Sequence, residues 1–189
     1  MDTKLTGKTR IESDLIGARE IPAEALYGVQ TLRGIENFSI SKFRLSEYPL
    51  FIKGLAITKM AAAMANFELG LLTVEQKDAI IAACGEIIDG KHHDQFPVDM
   101  IQGGAGTTTN MNANEVIANR ALELMGHERG EYQYCSPNDH VNCSQSTNDA
   151  YPTAIHIGMY FKHLQLLPHL EELIASFRKK GEEFSQIIK

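Results

Sequence analysis

Apolar residues recur at helical spacing along most of this chain. Thr73 and Gln76 form a capping box, and the apolar stripe that follows predicts a helix ending near Gly90. Pro49 can occupy the first turn of another helix, which is expected to stop at Gly70. Further helical patterns cover residues 23–38, about 110–125 and most of 146–189, the last with a kink or a new start at Pro168. Alternation typical of strands is scarce, so the sequence predicts a mainly α fold.

Three segments lack a helical pattern. Residues 1–23 are polar and are expected to form an irregular arm with short extended pieces, lying on a larger body. Residues 91–108 combine histidines, a proline and three glycines, and residues 127–145 are polar, so both are expected to be loops.

The apolar stripe from Leu166 to Ile188 has no closing cap, and its apolar face is expected to need a partner surface.

The composition is that of an ordinary globular protein. The 189 residues are 43% hydrophobic and 22% charged, which excludes intrinsic disorder. Acidic residues outnumber basic ones by 24 to 18, a formal net charge of −6, so no broad electrostatic surface for nucleic acid or an anionic membrane is expected. Three cysteines without a paired spacing favour a reduced, cytoplasmic setting. No stretch approaches the roughly 18 apolar residues of a membrane span, so the expected partners are small molecules or other chains.

One candidate site is a glycine-rich segment that leads into a helix. Residues 103–110 read Gly-Gly-Ala-Gly-Thr-Thr-Thr-Asn. Glycines permit close approach of the backbone, hydroxyls donate hydrogen bonds, and the free amides at a helix start attract an anion. Thr108 or Thr109 could instead simply cap the helix. The segment is not a phosphate-binding P-loop, because no Gly-Lys-Ser/Thr follows.

The second candidate segment also precedes a helical pattern. Residues 144–149 read Ser-Gln-Ser-Thr-Asn-Asp, and Ser146 with Asp149 fits a capping box, so one hydroxyl could be structural. Ser146, Thr147 and Asn148 nevertheless offer two hydroxyls and an amide in succession, enough for one carboxylate and an adjacent polar group. Neutral donors of this kind stabilise negative charge that develops during a reaction. The two segments together predict a site for a small anionic substrate.

The histidines add little to this site. Of the seven, only His140 lies close enough to the second segment to be a candidate. The sequence has no HExxH, GxSxG or paired metal-ligand spacing. Nothing in the sequence therefore requires a metal.

The two candidate segments and a third stretch resemble the aspartase/fumarase superfamily. The matching motifs run from Gly103 to Arg120, from Pro137 to Asp149 and from Tyr27 to Thr31. The similarity is specific and extends over essentially the whole chain. It implies a helical N-terminal lyase domain over residues 1–141, followed over residues 142–189 by the first long helices of a central helical bundle.

The resemblance also implies a chemistry. Members of the ammonia-lyase branch are homotetrameric, cofactor-independent lyases that interconvert L-aspartate with fumarate and ammonia through an enediolate. Carried over residue by residue, Thr107, Ser146 and Thr147 would hold the carboxylate beside which the proton is removed, and Asn148 would bind the departing amino group. The general base would be a serine outside these 189 residues, so no catalytic residue is expected among them.

Two positions favour the ammonia-lyase branch over class II fumarate hydratases. Hydratases of the superfamily usually have Ser-Ser-Asn-Asp in the second segment and a histidine before Pro-Asn-Asp, whereas this chain has Thr147 and Ser136. A hydratase-like lyase is the alternative within the superfamily.

The resemblance finally implies that part of the active site lies elsewhere. Family members are more than twice this long, and their active sites combine residues from three subunits. A Thr-His pair expected shortly after Lys189, the serine-bearing loop, and the Lys and Asn for the other carboxylate are absent from the 189 residues. The isolated polypeptide is therefore expected to be inactive, and a non-catalytic truncated chain or assembly module is the alternative from another class.

Overall fold

The computed structural model describes residues 7–188, which form a mainly helical body, as predicted. Within this range two strands, β1 (Thr9–Asp14) and β2 (Gly17–Pro22), precede five α-helices. The helices are α1 (Val29–Asn37), α2 (Pro49–Glu68), α3 (Val74–Ile88), α4 (Thr107–Leu124) and α5 (Thr147–Glu183). Short 3-10 turns at Leu45–Glu47 and His93–Gln95, and a π-helical turn at Pro137–Val141, lie in the connections.

The short extended pieces expected in the arm over residues 1–23 are present, but they pair as a regular hairpin and not as an irregular arm; residues 1–6 of that arm lie outside the described residues. Strands β1 and β2 pair antiparallel, and the Asp14 carboxylate accepts the backbone N–H groups of Ile16 and Gly17 in the turn. The same carboxylate binds Arg33 of α1 through two hydrogen bonds of 2.8 Å, which attaches the hairpin to the helical body. The hairpin was missed because its strands are mostly charged and polar on both faces.

Helix α1 begins at Val29, later than the predicted start at residue 23. Its first turn is capped by Glu115, a buried carboxylate of α4. Glu115 accepts the backbone N–H groups of Gly28 and Gln30 at 2.8 Å, and that of Thr31 at 3.0 Å. It also accepts the Thr31 hydroxyl at 2.6 Å. The motif from Tyr27 to Thr31 therefore joins α1 to α4, because a carboxylate takes up amides that a helix start leaves unpaired.

The core lies between α2, α3 and α4, and local rules predicted two of these helices well. Thr73 and Gln76 form the predicted capping box at the start of α3, with bonds of 3.2 and 3.1 Å. Helix α2 begins at Pro49, as predicted. Among the described residues, α2 is the one helix long and apolar enough to cross a membrane by length and composition. Its packing against α3 and α5 accounts for that apolarity in a helical core.

Helices α2 and α5 cross with their backbones in close contact. A Cβ atom added to Gly54 would overlap the Ala154 carbonyl, and one added to Gly158 would lie 3.1 Å from the Leu50 carbonyl oxygen. Small residues thus fix where α5 rests on α2. Beyond this crossing α5 leaves apolar side chains exposed, including Phe177 at 71%. The stripe therefore has no partner surface within the described chain, as expected.

The new start predicted as one alternative at Pro168 is wrong, because α5 runs without interruption through Pro152 and Pro168; the kink, the other alternative, stays a prediction. Each proline removes one backbone hydrogen bond, and the helical turns on both sides hold the helix together.

Candidate functional site

The glycine-rich segment ends in the first turn of α4. The helix begins at Thr107, earlier than the predicted start near Asn110, and Thr107 is exposed. Gly106 precedes it with a φ of +90°, and an added Cβ would overlap the ring of Tyr151 on α5. Glycine is therefore required here both by the left-handed backbone and by the contact with α5.

Neither Thr108 nor Thr109 caps α4, so the simple capping interpretation of this segment is wrong. Gln102 provides the cap, since its Oε1 accepts the Thr109 backbone N–H at 2.8 Å. The Gln102 amide nitrogen also donates to the Thr109 hydroxyl at 2.5 Å. This cap satisfies the N–H of the third residue of α4. The N–H of Thr107, the first residue of the helix, has no acceptor inside the helix.

The second segment ends in the first turn of α5. Ser146 is the N-cap, and its Oγ accepts the Asn148 backbone N–H at 3.2 Å. The predicted capping box with Asp149 does not form, because the Asp149 N–H bonds to the Ser146 backbone carbonyl at 3.1 Å. Ser146 and Asn148 are exposed and Thr147 is half-buried, so all three can be reached from outside.

The two helix starts meet. The Asn110 amide nitrogen on α4 donates to the Thr147 Oγ1 on α5 at 3.2 Å. Residues three apart share a helix face, so Thr107 lies on the side of α4 that carries Asn110. The structure thus brings the four predicted site residues, Thr107, Ser146, Thr147 and Asn148, to adjacent helix starts. Both helices present the positive end of their dipole, an arrangement suited to an anion.

A buried lysine behind the second segment was missed by sequence reasoning. Lys59 of α2 has no exposed surface, and its Nζ donates to Asn142 Oδ1 and Gln145 Oε1, each at 2.9 Å. Burial lowers the pKa of Lys59 to about 7. The sequence carried a signal for it, because Lys59 shares the face of α2 with buried Leu55 and Ala63, where a lysine is unusual. Lys59 thus adds a basic group behind the predicted neutral donors, whose role stays a prediction.

His140 and Ser136 lie together in the π-helical turn and belong to its local structure. His140 Nδ1 accepts the Ser136 backbone N–H at 2.7 Å, and its Nε2 lies 3.2 Å from the amide nitrogen of Gln76 on α3. Burial lowers the pKa of His140. Ser136 caps the turn by accepting the Asp139 N–H at 3.1 Å. His140 therefore contacts the start of α3 and not the segment from Ser146 to Asn148.

Residues 7–188 contain no group of three His, Cys, Asp or Glu side chains placed to hold a metal ion. The ion pairs of the described chain lie away from the two helix starts. The largest network joins Glu86 of α3 with Arg120 of α4 and His92, and continues from Arg120 through Glu123 to Arg129.

Comparison with known proteins assigns the family. A family model described as "Lyase" matches residues 17–189. An aspartate ammonia-lyase from Pseudomonas canavaninivorans is 58% identical over 180 residues, which is 95% of this chain and 38% of that protein. The aspartate ammonia-lyase of Escherichia coli strain K12 is 54% identical over 186 residues, covering 98% of this chain and 39% of that protein.

Solved structures agree with these relatives. A fumarate lyase:delta crystallin from Brucella melitensis matches with a TM-score of 0.92 at 53% identity, over 96% of this chain and 42% of that one. A class II fumarase from Schistosoma mansoni matches with a TM-score of 0.89 at 38% identity, over 96% of this chain and 38% of that one. The chain thus spans about two fifths of the length of its relatives. As its motifs indicated, the chain belongs to the lyase family, within the aspartase/fumarase superfamily.

Proposed function

We propose that this chain supplies part of the active site of an aspartate ammonia-lyase. The reaction is the reversible elimination of ammonia from L-aspartate to give fumarate through an enediolate. The observation that carries the proposal is the meeting of two helix starts at the Asn110–Thr147 hydrogen bond. Relatives named aspartate ammonia-lyase at 54% and 58% identity support the choice of reaction.

In this proposal Thr107, Ser146 and Thr147 donate hydrogen bonds to one carboxylate of the substrate, and Asn148 binds the amino group that leaves. Both Ser146 Oγ and Thr147 Oγ1 already accept a hydrogen bond, so their own protons are available to the substrate. Negative charge grows on that carboxylate as the enediolate forms. Donors fixed before the reaction stabilise this charge more than that of the ground state.

The proposal extends to the assembled protein. The general base is a serine outside the 189 residues, and no metal or cofactor takes part. The enzyme assembles as a homotetramer in the cytoplasm, with residues 1–141 as its N-terminal domain and residues 142–189 as the start of its helical bundle. The exposed apolar residues of α5 support the assembly, because an uncovered apolar face of this length favours association.

The test uses a joined enzyme, in which this chain is followed by the C-terminal part of the Escherichia coli aspartate ammonia-lyase. We expect it to release ammonia from L-aspartate. Thr147→Val should lower kcat by ~100-fold or more, the usual effect of removing a donor to a developing anion. Thr153→Val, at an exposed position of the same helix, is the matched control and should leave kcat unchanged. Equal activity of the two variants would remove Thr147 from the site.

The joined enzyme and the 189-residue chain also distinguish the proposed function from two alternatives. The match to a class II fumarase favours a hydratase-like lyase, which would form L-malate from fumarate without ammonium. The exposed apolar face of α5 favours a non-catalytic assembly module. For that case the purified 189-residue chain is compared with the joined enzyme. We expect ammonia release from the joined enzyme alone, and robust turnover by the 189-residue chain would contradict the shared site.

A further inference from the structure

We propose that Lys59 is a positioning residue that fixes the direction of the hydrogen bonds behind the site, so that the Thr147 hydroxyl is left to donate to the substrate. The inference rests on the proposed function and deepens it. It is carried by a buried network that runs from Lys59 through Asn142 and Asn110 to Thr147.

The network begins at a lysine, whose ammonium form has donors only. Lys59 lies in the core face of α2, fully buried, and no carboxylate of residues 7–188 forms an ion pair with it. Its Nζ instead meets two amide oxygens, those of Asn142 and Gln145. A buried amine without an acidic partner is costly, so the position requires a compensating role.

The ammonium form of Lys59 determines which way both amides face. Asn142 must turn its Oδ1 towards Lys59, and its Nδ2 then donates to the Gln145 backbone carbonyl at 3.0 Å. Gln145 must likewise present Oε1, and its Nε2 donates to the backbone carbonyls of Val141 at 2.9 Å and Cys143 at 3.1 Å. The loop before α5 is therefore held in one arrangement of donors and acceptors.

Asn110 links this fixed order of donors and acceptors to Thr147. Since Asn142 Oδ1 can only accept, Asn110 presents its Nδ2 to it at 3.0 Å, and this nitrogen also donates to Thr147 Oγ1. The Thr147 oxygen therefore accepts from behind, and its one proton is free to point into the site.

A buried acceptor without a partner shows that this arrangement is imposed on Asn110. The Asn110 Oδ1 has no hydrogen-bond partner. Turning the Asn110 amide over would let Thr147 donate a hydrogen bond to that oxygen and would satisfy it. The Thr147 hydroxyl would then no longer donate to the substrate. Turning it over would also place two oxygens, Asn110 Oδ1 and Asn142 Oδ1, against each other. The contact of Lys59 with Asn142 prevents this reversal.

Both protonation states of Lys59 are compatible with this direction, and the ammonium, which has no acceptor, enforces it. Burial lowers its pKa to about 7 and raises that of the neighbouring Cys84 thiol on α3 to about 12, so the thiol is neutral when Lys59 titrates. The ammonium has three N–H groups and the neutral amine has two. Either form can donate to Asn142 and to Gln145 at once.

The test is a double-mutant cycle in the joined enzyme. Lys59→Met keeps most of the length of the side chain and removes its donors, and we expect kcat to fall ~10-fold or more with a smaller change in KM. In the Thr147→Val background the same substitution should cost less than ~3-fold, because the hydroxyl it orients is gone. Lys53→Met, on the same helix and outside the network, is the control and should leave kcat unchanged.

The outcomes separate positioning from folding. An unchanged kcat for Lys59→Met, or an equal loss in both backgrounds, would overturn the inference. If Lys59→Met does not assemble, Asn110→Leu replaces it in the cycle, with the same non-additivity expected. An active joined enzyme in which the two substitutions have additive effects on kcat would refute this inference and leave the proposed function standing. An assembled joined enzyme that releases no ammonia before any substitution would refute the proposed function and this inference with it.

Discussion

Glu115→Gln tests how the buried carboxylate of α4 holds α1 in place. The carboxylate accepts four hydrogen bonds, three from the backbone N–H groups of Gly28, Gln30 and Thr31 at the start of α1 and one from the Thr31 hydroxyl. Glutamine has nearly the same shape and keeps one acceptor oxygen. Its amide nitrogen must then face a donor, and the single contact of Oε1, the Gln30 N–H, is the one expected to be lost.

The magnitude follows from that contact. Hydrogen bonds to charged groups contribute about 1.5–3 kcal/mol each, and the Gln30 N–H would be left facing another donor. The other three bonds lose their charge assistance, but burying an amide costs less than burying a carboxylate. We expect a net loss of ~2–3 kcal/mol in the local stability of α1. Because each 1.4 kcal/mol corresponds to a factor of ten, protection of α1 against hydrogen exchange should fall by ~30- to ~150-fold.

Hydrogen exchange measured by mass spectrometry on the joined enzyme is the assay, read in peptides that cover α1. Glu123→Gln is the matched control, since Glu123 lies on the same helix in partly exposed ion pairs with Arg120 and Arg129. Such pairs contribute about 1 kcal/mol or less, and α1 exchange should not change. Equal exchange for Glu115→Gln and the unsubstituted enzyme would refute the capping role of the carboxylate.

Two further perturbations have defined outcomes. Gly106→Ala should destabilise the enzyme and reduce activity in thermal and kinetic assays, because its methyl group would meet Tyr151. Gly126→Ala has a similar φ of +81° but no atom within 4 Å, so a comparable loss there would contradict the Tyr151 contact. Hydrogen bonds from Arg120 and His92 lower the pKa of Glu86 from 4.5 to about 2, so stability present above pH 4.5 should be lost as pH falls towards 2. Glu86→Gln should flatten this part of the urea-midpoint profile, and an unchanged slope would assign the acid sensitivity to other groups.

Local sequence signals predicted the helices whose ends depend on local contacts. The capping box at Thr73 and the proline at the start of α2 needed no tertiary information. The start of α4 depends on Gln102 reaching over from the preceding loop and on Gly106 meeting Tyr151, neither of which periodicity contains. The hairpin likewise is bound to α1 through Arg33, a contact that an alternating pattern does not contain.

The candidate site was predictable as a set of residues and not as a network. Motif resemblance selected Thr107, Ser146, Thr147 and Asn148, and the structure places all four at adjacent helix starts, while their roles stay predictions. The direction of hydrogen bonding behind Thr147 depends on a lysine far away in the sequence. Donor and acceptor roles of amide side chains follow from their neighbours in space, which a linear pattern does not record.

A tilt of α5 about its crossing with α2 would move the two ends of α5 in opposite directions. The closest contacts of the crossing lie between Ala154 and Gly158. A rise of 1.5 Å per residue gives a short part of ~13 Å from there to Thr147 and a long part of ~40 Å to Glu183. A tilt of ~3° that shifts the far end by ~2 Å would therefore shift Thr147 by ~0.7 Å, more than the ~0.5 Å that catalytic groups tolerate. A contact that tilts the long part of α5 would thus also move the Thr147 hydroxyl on the opposite side of the crossing.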